Sequence, residues 1–163
     1  MRIRTATPGD VPAMLELERQ CAMAAHWTES QYQRVFQSTE IDPSQPLALV
    51  IDEDSGVRSE PRSTVEFPLI AFLIASHLAA EWELENVVVK STFRRKGAGT
   101  ALLKELLIRA RAAKSESVFL EVRESNQAAR ALYLKSGFEQ KGRRQGYYSN
   151  PPEDAILYRR SLP

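Results

Sequence analysis

The chain has 163 residues, 43% hydrophobic and 26% charged, an ordinary globular composition able to bury about two-thirds of its unfolded surface. A net charge of +1 lacks the broad basic face that general nucleic-acid binding needs. The single cysteine, Cys21, rules out an intrachain disulfide and a thiolate metal cluster. His26 and His77 lie far apart without ligand spacing, so no metal site is expected. The opening MRIRTATPGD has no apolar stretch of the signal-peptide kind. The longest apolar run, Leu69 to Ala80, is about a dozen residues, too short to span a bilayer. One domain over 1–163 is expected, in the cytoplasm, with no membrane and no nucleic-acid partner.

In chain order, Ile3 to Thr5 alternates as a short strand. Thr7-Pro8-Gly9-Asp10 reads as a helix start, and Val11, Met14, Leu15, Leu17 and Ala22 carry its stripe to about Ala25, with Cys21 as a small buried residue on it. A second helix starts at Thr28, with Tyr32, Val35 and Phe36 on its buried side; Trp27 and Tyr32 are read as core aromatics or as the wall of a groove. Ile41 to Pro46 is a loop, Leu47 to Ile51 a strand, Asp52 to Gly56 its turn, and Val57 to Glu66 an exposed, polar loop. Pro68 to Ser76 is a buried strand, and Ser76 to Ala80 turns into the next, Trp82 to Val89.

That strand leads into Arg94-Arg95-Lys96-Gly97-Ala98-Gly99-Thr100 and then into a helix from Thr100 with Leu102, Leu103, Leu106, Leu107 and Ala110 on one face. Val87, Val88 and Val89 are β-branched, as suits a buried strand. Two glycines in alternate positions let main-chain N–H groups approach a ligand closely, and the helix adds unpaired amides and the positive end of its dipole. Strand, amide-lined turn and helix start together suit a phosphate-like anion. The turn is neither a P-loop nor the dinucleotide fingerprint.

Val118 to Arg123 is a further strand, interrupted by Glu121. Three accounts of this carboxylate stand open: an ion pair with Arg123, an edge reaching water, or a working base whose pKa burial would raise. Glu83 and Glu85 share one strand face and are the alternative bases. Gln127 to Lys135 forms a short helix stopped at Ser136-Gly137, and Phe138 to Arg143 and Ala155 to Arg160 are strands joined by a loop, Tyr147 to Pro152.

Two motifs carry a family likeness. The turn fits [QR]-x-x-G-x-[GA] from Arg94, and EVRESNQAARALYLKSGF, Glu121 to Phe138, fits E-V-R-x-S-N-x-x-A-x-x-L-Y-x-x-x-G-F. In both, and in their order, the chain resembles the GNAT superfamily of acetyl-CoA-dependent N-acetyltransferases. Its RimI-like branch of ribosomal-protein-alanine N-acetyltransferases is the nearest likeness, through Trp27-Thr28-Glu29, Asn86 to Val89, Leu120 to Arg123, Tyr147-Tyr148 and Glu153 to Ala155. The resemblance implies an α/β (α+β) fold: a mixed, mostly antiparallel sheet of six to seven strands, about four helices, and a splayed strand pair forming an acetyl-CoA slot. It implies acetyl-CoA as co-substrate and contacts to it from Val87, Val88, Val89, Arg94, Arg95, Lys96, Gly97, Ala98, Gly99, Thr100 and Asn126. Glu121 would be the proton acceptor and Tyr133 the proton donor, with an amide near Val88 or Val89 for the oxyanion. The acceptor implied is a peptide or protein N-terminus, with a small amine or lysine as alternative and a non-catalytic acyl-CoA-binding module as the rival from another class. The Glu85-Asn86 pair, where an apolar residue usually precedes the Asn, and the loop 57–66 depart from the pattern and bear on the acceptor.

Overall fold

The computed structural model describes residues 1–37, 45–53 and 69–163. Its frame is one seven-stranded sheet in the order β1-β2-β3-β4-β5-β7-β6. The strands are β1 (Arg2–Thr5), β2 (Leu47–Asp52), β3 (Leu69–Leu78), β4 (Glu81–Val89), β5 (Ser117–Arg123), β6 (Glu139–Ser149) and β7 (Pro152–Ser161). Every neighbouring pair is antiparallel except β4 with β5. Four helices flank it among the described residues: α1 (Val11–Arg19), α2 (Glu29–Val35), α3 (Ala98–Ala112) and α4 (Gln127–Lys135).

The two faces hold separate cores. Val11, Met14, Leu17, Tyr32 and Val35 of α1 and α2 pack on Val50, Phe72, Ile74 and Val88. The α3 leucines 102, 103, 106 and 107, with Tyr133 of α4, pack on Leu73, Trp82, Leu84, Val118 and Leu120. Leu102, Leu103 and Leu106 are fully buried, each worth about 1.5–3 kcal/mol of transfer energy. β3 feeds both cores, which is why its sequence runs apolar without alternation.

β4 carries a bulge. Ile74 pairs with Asn86 but Ala75 with Leu84, so Glu85 is an extra residue. One added residue swaps the faces of everything after it. Trp82 and Leu84 point toward α3, whereas Asn86 and Val88 are buried on the α1 side and Val87 and Val89 pack on the α3 side.

Several element ends differ from the sequence reading. α1 follows a 3-10 turn at Pro8–Asp10 and stops at Arg19, so Cys21 is buried in the connection after the helix. α3 begins at Ala98, two residues earlier than Thr100, because Gly97 caps it in the left-handed region. β3 runs on to Leu78, leaving Ala79 and Ala80 as the turn. β6 and β7 extend to Ser149 and from Pro152, so Tyr147 and Tyr148 lie on a strand and not in a loop. A register shift between Arg144 and Tyr148 hides that strand from the alternation rule, and Asp154 stabilises it by accepting from the Gly146 N–H at 2.9 Å. The loop read at 57–66 lies outside the described residues, as do most of the Ile41–Pro46 loop and the end of the turn after Ile51. Thr28 caps α2 as read, accepting from the Gln31 N–H at 3.3 Å.

Candidate active site

β4 and β5 pair only at Glu81–Ser117, Trp82–Val118 and Glu83–Phe119. Beyond Glu83 they part, while β3 holds β4 as far as Val89 and β7 holds β5 as far as Arg123. The result is a wedge-shaped slot in the middle of the sheet. The Lys90 N–H donates to Ile70 O at 2.8 Å. By antiparallel alternation Val88 and Asn86 therefore also face β3, and the peptide groups of Val87 and Val89 face the slot. The Val89 carbonyl is taken by Arg94 Nε at 3.2 Å, with Cys21 Sγ at 3.7 Å. The Val87 N–H and C=O and the Val89 N–H remain. Of the two amides offered for an oxyanion, Val89's faces the opening and Val88's is spent in the sheet.

Below the slot, a 3-10 turn at Ser91–Phe93 and a turn over 94–97 lead into α3. Ala101 is the first residue whose N–H bonds back, to Gly97 O at 2.9 Å. Among the described residues none accepts from the amides of Arg95 to Thr100, a run of donors at the positive end of a helix. The two glycines differ in purpose. Gly97 has φ +89° and open space where a Cβ would stand, so conformation is its reason. Gly99 is buried, and a Cβ there would meet Leu132 Cδ2 at 2.9 Å and Val89 Cγ2 at 3.6 Å, so close packing of α3 on α4 and β4 is its reason. Arg94 turns back onto the strand end and the Cys21 sulfur, whereas Arg95 and Lys96 are exposed and Lys96 lies over the Phe93 ring at 5.1 Å. Ala98 is buried and Thr100 exposed. Asn126 caps α4 by accepting from the Ala129 N–H at 3.2 Å, which leaves its amide nitrogen for other contacts.

Carboxylates gather on the α1/α2 face of the slot. Leu120 and Val122 point into the α3 core, so Phe119, Glu121 and Arg123 point the other way, as does Glu83 opposite Leu84. Glu121 pairs with Arg144 Nε at 2.8 Å, and its side chain is 14% exposed. The ion pair read with Arg123 is not formed; Arg123 pairs with Glu153 at 3.3 Å and lies 4.1 Å over the Tyr148 ring. The Glu121 charge, and then a hydrogen bond to it, push the Tyr147 phenol above its usual range. Glu85 accepts from Ser76 Oγ. Burial, then the charges of Glu85 and Glu121, raise the Glu83 carboxyl above 4.5, against the opposing pull of Arg144. A carboxyl raised by folding favours the native state most at low pH, and this advantage is lost as pH rises through the folded value. Glu83→Gln is therefore expected to raise Tm at pH 7 relative to wild type and to leave little difference near pH 4. A thermal-melt series across that range checks it; an equal shift at both ends would refute it.

Tyr133 sits on the opposite, α3/α4 side. Its ring packs on Phe138 and Tyr158 with centroids 5.9 and 6.1 Å away. Burial, with a smaller contribution from Tyr148, holds the phenol well above its ordinary range, so it stays protonated. Its hydroxyl donates to no described residue. The slot thus has an acidic face, an aromatic hydroxyl on the reverse, and amides between and below them.

The family model for the acetyltransferase (GNAT) family matches residues 11–138. The chain belongs to that family. Among curated relatives, the N-alpha-acetyltransferase RimI of Mycobacterium tuberculosis is 41% identical over 80 residues, 49% of this chain and 49% of the relative. The [ribosomal protein bS18]-alanine N-acetyltransferase of Escherichia coli K12 is 37% identical over 91 residues, 55% of this chain and 62% of the relative. The chain thus spans between about a fifth and three-fifths of the curated relatives it matches first. The crystal structure of the E. coli ribosomal-protein-S18-alanine N-acetyltransferase superposes with TM-score 0.74 at 27% identity, covering 99% of this chain and 93% of that one. Arabidopsis thaliana NAA60 with a bisubstrate analogue gives TM-score 0.80 at 18% identity, covering 99% of each chain, a likeness of fold.

Sequence reasoning does not find Arg144, whose role depends on a hairpin register set by the bulge at 145–147. It also passes over Glu18, although position 18 continues the stripe of 11 and 14 by one helical turn. A charged residue on a buried stripe is the signal that marks it.

Proposed function

We propose that the protein transfers the acetyl group of acetyl-CoA to a primary amine, and that the preferred acceptor is the N-terminal α-amine of a protein. The parting of β4 from β5 beyond Glu83, with the peptide edge of Val87 and Val89 turned into the gap, carries the reading. An amide-bearing pantetheine arm can pair with that edge as an added strand would. The amides of Arg95 to Thr100, which no described residue accepts from, suit a diphosphate with Arg95 and Lys96 beside them; Ala98 and Gly99 lend main chain only. Arg94 supports the strand end from behind, and Asn126 contributes through its amide nitrogen. When bound, the thioester supplies an already activated acyl group, so the chain need only align the amine and manage protons.

Glu121 is the general base on the acidic face, taking the ammonium proton directly or through water. The Val89 N–H is placed to donate to the carbonyl oxygen as charge develops on it. Tyr133, kept protonated by burial, donates to the departing sulfur from the far side. Tyr133→Phe is expected to lower kcat by about tenfold to a hundredfold, with the KM for acetyl-CoA little changed; wild-type turnover in a thiol-release assay would remove the donor role.

For the acceptor, an α-amine with pKa about 7.7–8.0 costs roughly 3.5 kcal/mol less to deprotonate at neutral pH than a lysine near 10.4. A single carboxylate already engaged by Arg144 suits the easier task. Tyr147, half exposed beside Glu121, offers an aromatic edge for a peptide, and the names of the E. coli and M. tuberculosis relatives point the same way. No described helix is long and apolar enough to cross a membrane. Mass spectrometry of peptides and small amines incubated with acetyl-CoA tests the reading. Acetylation of alanine- or serine-starting peptides is expected; turnover of free polyamines or amino acids alone would shift the acceptor to small molecules, and CoA binding without turnover on any amine would leave a binding module.

A further inference from the structure

Away from the slot, one carboxylate among the described residues is deeply buried: Glu18 of α1, 2% exposed. It gathers donors from three other parts of the chain. Its Oε2 accepts from the Trp27 main-chain N–H at 3.0 Å and from the Tyr32 hydroxyl at 2.8 Å. Its Oε1 accepts from Asn86 Nδ2 at 2.7 Å, and the same nitrogen lies 3.4 Å from the Tyr32 hydroxyl. Tyr32 is further held by the rings of Trp27 and Phe72, at 5.4 and 5.9 Å.

A buried carboxylate is costly, and an apolar residue at position 18 would serve the core at least as well. What the carboxylate supplies instead is a directional tie. One end grips the α1–α2 connection, residues 20–28, and the start of α2. The other grips Asn86, the residue that follows the bulge at Glu85 and precedes Val87, whose peptide group faces the slot. Both ends lie on the sheet face that carries Glu83 and Glu121.

We infer that Glu18 is a positioning residue that locks the α1–α2 connection to the bulge of β4 and so sets how an acceptor amine meets Glu83, Glu85 and Glu121. The acceptor half of this inference rests on the acetyl-transfer reading above. Loss of the tie lets the two sides of the acceptor entrance move independently, while the donor side, built on α3, α4, the turn at 95–100 and the peptide edge at Val89, stays in place.

The test compares wild type, Glu18→Ala, Asn86→Ala and Glu18→Gln in steady-state kinetics with acetyl-CoA and an alanine-starting peptide, beside amide hydrogen exchange of the free protein. Glu18→Gln preserves the tie without the charge: its oxygen accepts from Trp27 and Tyr32, and its nitrogen donates to Asn86 Oδ1 once that amide flips. The two alanine variants are expected to raise the peptide KM by roughly tenfold, the scale of a lost buried hydrogen bond, with the acetyl-CoA KM unchanged. Glu18→Gln is expected to restore the peptide KM. Glu18→Ala is also expected to speed exchange at Trp27 and at Asn86 together. Equal KM values with only a smaller active fraction, or faster exchange confined to residues 20–36, would overturn the inference. A wild-type protein inactive on every amine, with the joint exchange change still present, would overturn the acceptor half and uphold the tie between connection and bulge.

Discussion

Glu121→Gln is expected to lower kcat/KM for an α-amine acceptor by about tenfold near pH 7, because only roughly a tenth of an amine with pKa about 7.7–8.0 is neutral there without a base. The amide keeps the shape of the side chain and still accepts from Arg144, so acetyl-CoA affinity should hold. The loss should shrink toward pH 9, because an α-amine of pKa about 7.7–8.0 is by then already neutral and needs no base. That convergence separates proton transfer from a positional role, which would depress the rate equally across the range. Initial rates of thiol release between pH 6 and 9 decide it. Glu83→Gln is the comparison that matters, since Glu83 is the carboxyl raised by burial and by its acidic neighbours; a larger, pH-dependent loss there would transfer the role to Glu83.

The second large effect belongs to the glycines of the turn. Gly97→Val is expected to weaken CoA binding by at least about tenfold, because φ of +89° is strained for a β-branched residue by about 1–2 kcal/mol or more. The turn would relax and scatter the amides of 95–100, although no atom stands in the way of the new side chain. Gly99 acts by another route. Gly99→Ala brings a methyl group against a movable leucine terminus and should be nearly tolerated, whereas Gly99→Leu must push α4 and Tyr133 with it. Affinity for CoA and kcat should then both fall, unlike the affinity-dominated loss at Gly97. Calorimetric titration with CoA, set beside turnover, distinguishes the two. Unchanged affinity in Gly97→Val would remove the amide turn from the donor site.

The strand Val87 to Val89, the turn, the leucine face of α3 and the capped α4 were legible because each is local: β-branching, glycine spacing, 3.6-residue periodicity and an Asn cap can be read within a few residues. The family likeness then ordered these pieces into a sheet with a parting. Illegible were the features made by pairing between distant segments. The bulge at Glu85 appears only when β4 is laid against β3, and it alone explains why Leu84 and Asn86, two residues apart, serve opposite faces. The Arg144–Glu121 pair needs β6 to be in register with β7, itself beyond a second bulge. Glu18 is the instructive case: its place on the stripe was visible, but its three partners come from a loop, a helix and a strand. Periodicity can reveal that a charge is buried; only the tertiary fold reveals why.

Because the opening between β4 and β5 passes through the sheet, it is a doorway with two thresholds and not a trench along one wall. On the proposed reading, a nucleotide-tailed carrier entering from the α3 side would not compete for room with whatever offers the amine from the other. A bulky macromolecule could then stay outside and present only its first few residues, and each product would have its own exit.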